Sequence, residues 1–308
     1  YDLNNNGRTD DKIAHGYSDA TIIAAQSVYA EKFIAPAGSD NWSRQGLLVN
    51  SGSQFDYLLK ITNETSAEYT GLTLTDVLPQ IGDKNAFATA DRNSEFRVRL
   101  REAITPPASY SVLYTTAEVS GKSIQELADA AIWTDTVSDW SAVTAFRLVA
   151  GADTILPGRS TFEVRIPAEA PAALDDASLA LLHKKAVQRP DAASCLEAFN
   201  AFGFRTAQSS LKESNTVWAR IPFADLCVQK VDGTTGTALP GAQFTLTDAS
   251  GSIIGTAVSD ECGLLRFRDL TAGVYTLAET QVPDGYRDTH LTMTVSITQI
   301  PVSMEYEF

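Results

Sequence analysis

Apolar and polar residues alternate along most of the chain in short runs separated by Gly, Pro, Asn and Asp. A period of two is typical of β-strands with one buried face, and the turn residues bound each strand. The pattern is carried by FDYLLKIT, GLTLTDVL, FRVRL, YSVLYTT, AFRLVA, STFEVRI, TVWARI, AQFTLTD, GLLRFRDL, VYTLAET and LTMTVSIT. The sequence therefore predicts an all-β protein.

Helical periodicity occurs in two short segments, SIQELADAAI and LDDASLALLHKKA. Loops flank each of them, which predicts insertions between strands and not the crossover helices of a parallel sheet. One strand series ends with ARIP at Pro222, and a new series starts with CVQKVD. We predict two tandem immunoglobulin-like β-sandwiches: residues 1–222, which carry the helical insertions, and residues 223–308.

The charge balance excludes two classes of partner. The 308 residues include 38 acidic and 24 basic side chains, for a net charge of −14. Such a surface repels nucleic acid and anionic membranes. No apolar run approaches the roughly 18 residues of a membrane span, and the N-terminus has no signal-peptide pattern. We expect a soluble segment without membrane insertion, cut from a longer precursor.

The three cysteines are Cys195, Cys227 and Cys262, and no CxxC pair suggests a zinc site. A disulfide between Cys227 and Cys262 would form in an oxidising compartment, and buried free thiols are the favoured alternative. The first residues, DLNNNGRTDD, space oxygen ligands as a calcium loop does, at Asp2, Asn4, Asn6 and Asp10. Ile13 stands where a bidentate Glu belongs, so an Asn-rich turn is favoured over calcium. No other cofactor is predicted.

The sequence contains none of the motifs GxxxxGK[ST], HExxH or GxSxG. Its histidines, His15, His183 and His290, lie far apart and have no companion motif. We therefore predict no turnover enzyme.

A lysine interrupts an apolar strand face near the C-terminus. Lys230 shares its parity with Leu226 and Val228, because successive side chains of a strand face opposite sides. A bare ammonium in an apolar interior is costly and needs a partner. Glu279 shares a face with Tyr275 and Leu277 and is the candidate acid.

Three motifs in this region, KVDGTTGTALPGAQFTL, GLLRFRDLTAGVYTLAET and VPDGY, resemble the collagen-adhesin B-type (SpaA-like, prealbumin-like) domain of Gram-positive surface adhesins and pilins. The resemblance covers residues 226–308. It implies a spontaneous amide bond between a strand lysine, here Lys230, and an Asn or Asp of the last strand, assisted by a Glu, here Glu279. The last strand, SMEYEF, has no Asn or Asp, so the partner is expected beyond Phe308. The alternative is an ion pair without a bond.

The runs GSQFDYLLKITNETSAEYTGLTLTDVLPQIGD and LPGRSTFEVRIPAEAP are similar to the larger immunoglobulin-like modules that precede B-type domains. Some of these modules carry a Lys–Asn bond assisted by Asp. Strand parity selects Lys32, Asp76 and Asn200, polar residues on apolar faces that we expect on first, middle and penultimate strands, whereas Lys60 faces solvent. The alternative is that Asp76 begins a turn and Asn200 bonds to the backbone.

These resemblances imply a structural or adhesive segment of an extracellular, cell-wall-anchored protein, such as a pilin or adhesin stalk. Its partners would be other subunits joined by a sortase. One alternative is an adhesin tip that binds a host surface protein, matrix protein or glycan through the insertions at 101–145 and 170–195. Trp133 and Trp140 would be contacts there, although local core is the commoner role for such residues. Another alternative is an accessory module of an extracellular enzyme.

Overall fold

The computed structural model describes residues 27–128, 130–188, 195–288, 290–298 and 304–307. Strands far outnumber helices in these ranges, which confirms the all-β prediction. In these ranges the α-helices are α1, Ile124–Ala128, and α2, Asp176–Gln188, and each lies between strands as expected. No helix within the described ranges is long and apolar enough to span a membrane.

The strands up to Pro222 form several sheets. Their bounds are β1 Val28–Pro36, β2 Gly46–Leu48, β3 Gln54–Asn63, β4 Tyr69–Thr70, β5 Thr73–Val77, β6 Arg99–Leu100, β7 Tyr110–Thr115, β8 Ala145–Ala150, β9 Ile155–Leu156, β10 Ser160–Glu169, β11 Cys195–Asn200, β12 Phe202–Thr206, β13 Ser209–Glu213 and β14 Val217–Pro222. The sheet orders are β1-β3-β10-β6, β13-β12-β5-β8-β7, β11-β14-β2 and β4-β9. One large hydrophobic cluster fills the space between the sheets.

Alternation in β3 shows how the sequence produces this core. Phe55, Tyr57, Leu59 and Ile61 are all fully buried and lie on one face of the strand. Antiparallel ladders join β3 to β1 on one side and to β10 on the other. β3 is therefore a central strand with every second side chain in the core.

The strands after Pro222 form two further sheets, ordered β18-β15-β21 and β17-β16-β19-β20. Their bounds are β15 Ala224–Gln229, β16 Gln243–Asp248, β17 Ile253–Val258, β18 Leu264–Leu270, β19 Gly273–Gln281, β20 Thr292–Ile297 and β21 Met304–Glu307. They enclose a second hydrophobic cluster, which shares no residue with the first. The division into residues 1–222 and 223–308 stays a prediction.

Two local expectations were wrong. FRVRL pairs as a strand only at Arg99–Leu100, because the Val98 N–H bonds to the carbonyl of Pro79 in a neighbouring loop. Asn200 does not lie on a penultimate strand. It ends β11, and after Ala201 the chain crosses into another sheet as β12, with β13 and β14 still to follow.

Candidate intramolecular crosslink sites

Lys32, Asp76 and Asn200 are fully buried, each with 0% exposure. They come from three different sheets, on β1, β5 and β11 respectively. The Lys32 ammonium donates a hydrogen bond to Asp76 Oδ2 and forms an ion pair with it. Arg92 ties Asn200 to the same strand, because its guanidinium donates to Asn200 Oδ1 at 3.0 Å and to the carbonyl of Val77, the residue after Asp76, at 2.9 Å. The structure therefore brings the three predicted residues together around Asp76.

Backbone contacts position each of these residues. Lys32 lies at the edge of its sheet, where its N–H donates to Asn215 Oδ1 at 2.9 Å and its carbonyl accepts from Asn215 Nδ2 at 3.0 Å. Asp76 lies inside β5 and pairs with Phe202 of β12 and Phe146 of β8. Asp76 does not begin a turn, because ladders hold it on both sides.

Aromatic rings surround the lysine. Its Nζ lies 4.4 Å from the ring centroid of Tyr57 and 5.9 Å from that of Phe202. Ring faces attract a cation, but they replace only part of the hydration that the ammonium loses. The ammonium is therefore held out of contact with bulk solvent, beside one carboxylate.

Burial shifts the pKa values of both groups toward their neutral forms. Burial lowers the pKa of Lys32 to about 8, and the attraction of Asp76 offsets only part of that effect. Burial likewise raises the pKa of the Asp76 carboxyl above its usual value, against the opposing effect of Lys32. A neutral amine beside a carboxylic acid is the pair that an attack on an amide requires.

The Asn200 side chain is held by its oxygen. Oδ1 accepts a hydrogen bond of 3.0 Å from an Arg92 guanidinium N–H, so the side chain does not bond to the backbone. Asn200 Nδ2 and Asp76 Oδ1 are both buried, and neither has a hydrogen bond among the described residues. Leaving a buried donor and a buried acceptor without partners costs free energy, so this pair needs an explanation.

The Lys32–Asp76 pair predicts a pH dependence of stability in a chain that cannot form a bond. In an Asn200→Ala variant, the unfolded chain binds a proton at Lys32 up to its ordinary pKa of 10.5, whereas the folded chain releases it near pH 8. The free energy of unfolding should therefore rise between these values, by up to about 3 kcal/mol. Urea unfolding at pH 7.5 and 10 measures this rise. An Asn200→Ala/Lys32→Met double variant should lack this rise. If the free energy of unfolding changes equally with pH in the two variants, the lowered pKa does not belong to Lys32.

Lys60 lies on the other face of β3, as its parity predicts. Its ammonium forms an ion pair of 2.9 Å with Glu163 and its side chain is 31% exposed. The Glu163 hydrogen bond raises the pKa of Lys60. Lys60 is thus a matched control for experiments on Lys32.

A second lysine–carboxylate pair lies in the C-terminal strands. Lys230 follows directly after β15, and its Nζ lies 3.1 Å from Glu279 of β19. The Glu279 side chain is 1% exposed and that of Lys230 is 15% exposed. Leu226 and Val228, which share the parity of Lys230, are buried in the second cluster. The structure thus brings together the two residues that sequence parity selects.

The last strand runs beside the lysine strand. β21 pairs with β15 in parallel, with Val228 opposite Tyr306 and Gln229 opposite Glu307. The bond partner beyond Phe308 stays a prediction, and Phe308 lies outside the described residues.

The motifs of this region, its two sheets and its lysine–glutamate pair can be compared with known families. Residues 224–307 match the family model of the SpaA prealbumin-like fold domain. This confirms the resemblance read from the motifs, and residues 224–307 are called the SpaA-like segment below. No curated protein matches the chain.

Several solved structures align with most of the chain. BcpA, the major pilin subunit of Bacillus cereus, aligns with a TM-score of 0.45 and 17% identity, covering 92% of this chain and 69% of that one. The 35 kDa C-terminal fragment of the major pilin GBS80 of Streptococcus agalactiae gives 0.40 and 12%, with 92% and 99% covered. Domains D2 and D3 of the major pilin SpaD of Corynebacterium diphtheriae give 0.33 and 14%, with 91% and 97% covered. These similarities are weak, with every TM-score below 0.5.

The disulfide expectation was wrong. Cys227 and Cys262, both in the SpaA-like segment, are free thiols, and so is Cys195. Cys227 lies on β15 opposite Arg266, and Cys262 is exposed in the turn before β18. The favoured reading of free thiols agrees with the structure, but the expected burial does not, because Cys195 and Cys227 are half-buried and Cys262 is exposed.

The calcium residues Asp2, Asn4, Asn6 and Asp10 lie outside the described part of the chain. Within that part, no group of three or more His, Cys, Asp or Glu side chains could hold a metal ion.

The tryptophans of the first insertion pack locally. Trp133 donates its indole N–H to the carbonyl of Leu127 at 2.8 Å and packs against a small cluster next to β5 and β8. Trp140 stacks edge-on against Tyr114, with 5.0 Å between the ring centroids. Both therefore act as local core and do not form an exposed contact surface.

Sequence reasoning missed three residues of the first site: Arg92, Tyr57 and Asn215. Tyr57 shows up only as one more apolar position in an alternating strand. Arg92 and Asn215 lie between strands, where no periodicity indicates direction. Contacts made across long sequence separations, such as Lys32 with Asn215, leave no local signal.

Proposed function

We propose that the chain is a structural or adhesive segment of a Gram-positive surface protein, a pilin or adhesin stalk, stabilised by intramolecular Lys–Asn isopeptide bonds. The observation that carries this proposal is the buried group of Lys32, Asp76 and Asn200. The match of residues 224–307 to the SpaA prealbumin-like fold domain supports the same class of protein. Cell-wall anchoring and sortase-dependent linkage to other subunits belong to the same proposal.

The chemistry begins with the ion pair between Lys32 and Asp76. A proton passes from the ammonium to the carboxylate, which leaves a nucleophilic amine and a carboxylic acid. The depressed pKa of Lys32 and the raised pKa of Asp76 lower the cost of this step. The amine then attacks Cγ of Asn200, and the acid assists the departure of ammonia.

In the SpaA-like segment, the same chemistry would use Lys230 and Glu279. The two side chains, 3.1 Å apart, come from different sheets, and the lysine strand β15 pairs in parallel with β21. A carbonyl partner beyond Phe308 would complete it. Without that partner the pair stays an ion pair.

The crosslinks would serve resistance to force and proteolysis. A bond between β1 and the end of β11 joins strands of two different sheets across the core. Tension on the chain would then reach a covalent bond before it could peel β1 from β3. The bond would also restrict the unfolded chain, as a disulfide that closes a long loop does.

Intact mass measures the bond directly. Each Lys–Asn bond releases one ammonia, so we expect the folded and denatured wild-type chain to weigh about 17 Da less than its sequence. Lys32→Ala should abolish this decrement at the first site. Lys60→Ala, the matched lysine on the opposite strand face, should retain it.

A wild-type mass equal to the sequence would refute the covalent mechanism. Lys230→Ala tests the second site separately. In a chain that ends at Phe308, the second loss of 17 Da should be absent whether or not Lys230 is present. In a longer chain that supplies the partner, the loss should appear and Lys230→Ala should abolish it.

A further inference from the structure

Arg92 lies in the loop between β5 and β6 and reaches into the first site. Its guanidinium NH1 donates to Asn200 Oδ1 at 3.0 Å and to the carbonyl of Ala201 at 3.2 Å. NH2 donates to the carbonyl of Val77 at 2.9 Å. Its Nε lies 3.1 Å from the buried carboxylate of Asp83, and its side chain is only 5% exposed. Arg92 is thus fixed against the amide that the lysine would attack.

This contact determines which way the amide points. A guanidinium has only donors, so the atom that faces Arg92 must be the amide oxygen. The amide nitrogen, which has to leave, is therefore directed away from Arg92. The same guanidinium binds the carbonyl of Val77, the residue after Asp76, so the amide is held next to the strand segment that carries the acid.

We propose that Arg92 is a catalytic residue of the crosslinking reaction, as an electrophilic donor to the amide oxygen of Asn200. This inference rests on the proposed function. The amine of Lys32 forms a bond to Cγ, and the electron pair of the carbonyl moves onto Oδ1, where Arg92 stabilises the negative charge. The carbonyl then re-forms, the Cγ–Nδ2 bond breaks, and ammonia leaves with a proton taken from the lysine nitrogen through Asp76. No oxidant or other reactant is needed.

The surroundings of Arg92 suit this role. Its positive charge lowers the pKa of Lys32, so the same residue that activates the amide favours the neutral amine. Asp83, which also accepts a hydrogen bond of 2.9 Å from Ser94, holds the guanidinium in place. A donor that is already oriented needs no reorganisation when charge develops on the oxygen.

The rate of mass loss tests the role. Chains are made by cell-free synthesis, synthesis is stopped, and samples quenched in acid are weighed over time. Arg92→Gln should lose the 17 Da about 100-fold more slowly than the wild type, the usual effect of removing one oxyanion donor. Arg97→Gln is the matched control. The Arg97 guanidinium also donates to two backbone carbonyls, those of Ala142 and Val143, but it does not contact the crosslink site. This variant should bond at the wild-type rate.

Thermal stability distinguishes a structural role of Arg92 from a catalytic one. Thermal unfolding of Lys32→Ala with and without Arg92→Gln measures what Arg92 contributes to the fold when no bond can form. If Arg92→Gln does not fold, Arg92→Lys replaces it. A folded chain that bonds several-fold more slowly supports the role, and a wild-type rate overturns it.

The two proposals fail in different ways. Loss of ammonia at equal rates in wild type and folded Arg92 variants would overturn the role of Arg92 and leave the crosslink intact. A wild-type chain that never loses ammonia would overturn both.

Discussion

When the chain is stretched from its two ends, unfolding of the residues up to Pro222 is expected to add no extension from the segment between Lys32 and Asn200. A covalent bond between these residues would carry the tension past that segment. About 170 residues would stay enclosed, so the extension per molecule should be shorter by roughly 55 nm than for an unbonded chain. Single-molecule force spectroscopy of the full chain measures this difference.

The unbonded reference is the Lys32→Met variant, which removes the nucleophile but keeps a side chain of similar length. It should extend fully at lower force, because β1 can then be pulled from β3 by breaking a ladder of hydrogen bonds. Lys60→Met should behave as wild type. Full extension of the wild-type chain would contradict the crosslink.

Asp76→Ala is expected to lower the free energy of unfolding more than any other single change at the site. Without the acid the bond should not form, which removes a constraint worth about 5 kcal/mol for a loop of this length in the chain-entropy description. The variant also leaves Lys32 buried without its carboxylate, a loss of roughly 3 to 5 kcal/mol. Together these effects should lower the melting temperature by roughly 15 to 40 °C, at about 2 to 4 °C per kcal/mol for a unit of about 200 residues.

Calorimetry combined with intact mass distinguishes the two contributions. Lys32→Met/Asp76→Leu removes the bond and both charges, so it should recover the part of the loss that comes from the unpaired ammonium. Asp56→Ala is the control for a buried carboxylate, since Asp56 pairs with Arg101 at 2.7 Å and with Arg165 at 3.0 Å away from the lysine. It should destabilise the chain and still show the lower mass. An Asp76→Ala chain that is as stable as wild type would contradict the role of this residue.

The sequence by itself determined the class of the fold and the direction of most side chains. Alternation in runs such as FDYLLKIT predicts β-strands, because a strand turns successive side chains to opposite faces. The same parity separates buried Lys32 from half-buried Lys60, and places Glu279 on the face of Tyr275 and Leu277. The motifs of residues 226–308 were specific enough to identify the SpaA-like segment, which the family model confirms.

Only the tertiary structure decided which of the inward-facing polar side chains come into contact. Parity states that Lys32, Asp76 and Asn200 point inward, but contact depends on how three sheets pack, and on the break after Asn200 where the chain changes sheet. Arg92 and Asn215 lie outside regular strands, where no period exists to indicate direction. The burial that moves the pKa of Lys32 and Asp76 comes from the rings and strands around them, which the chain assembles from distant segments. Local pattern thus selects candidates, and long-range packing makes them a site.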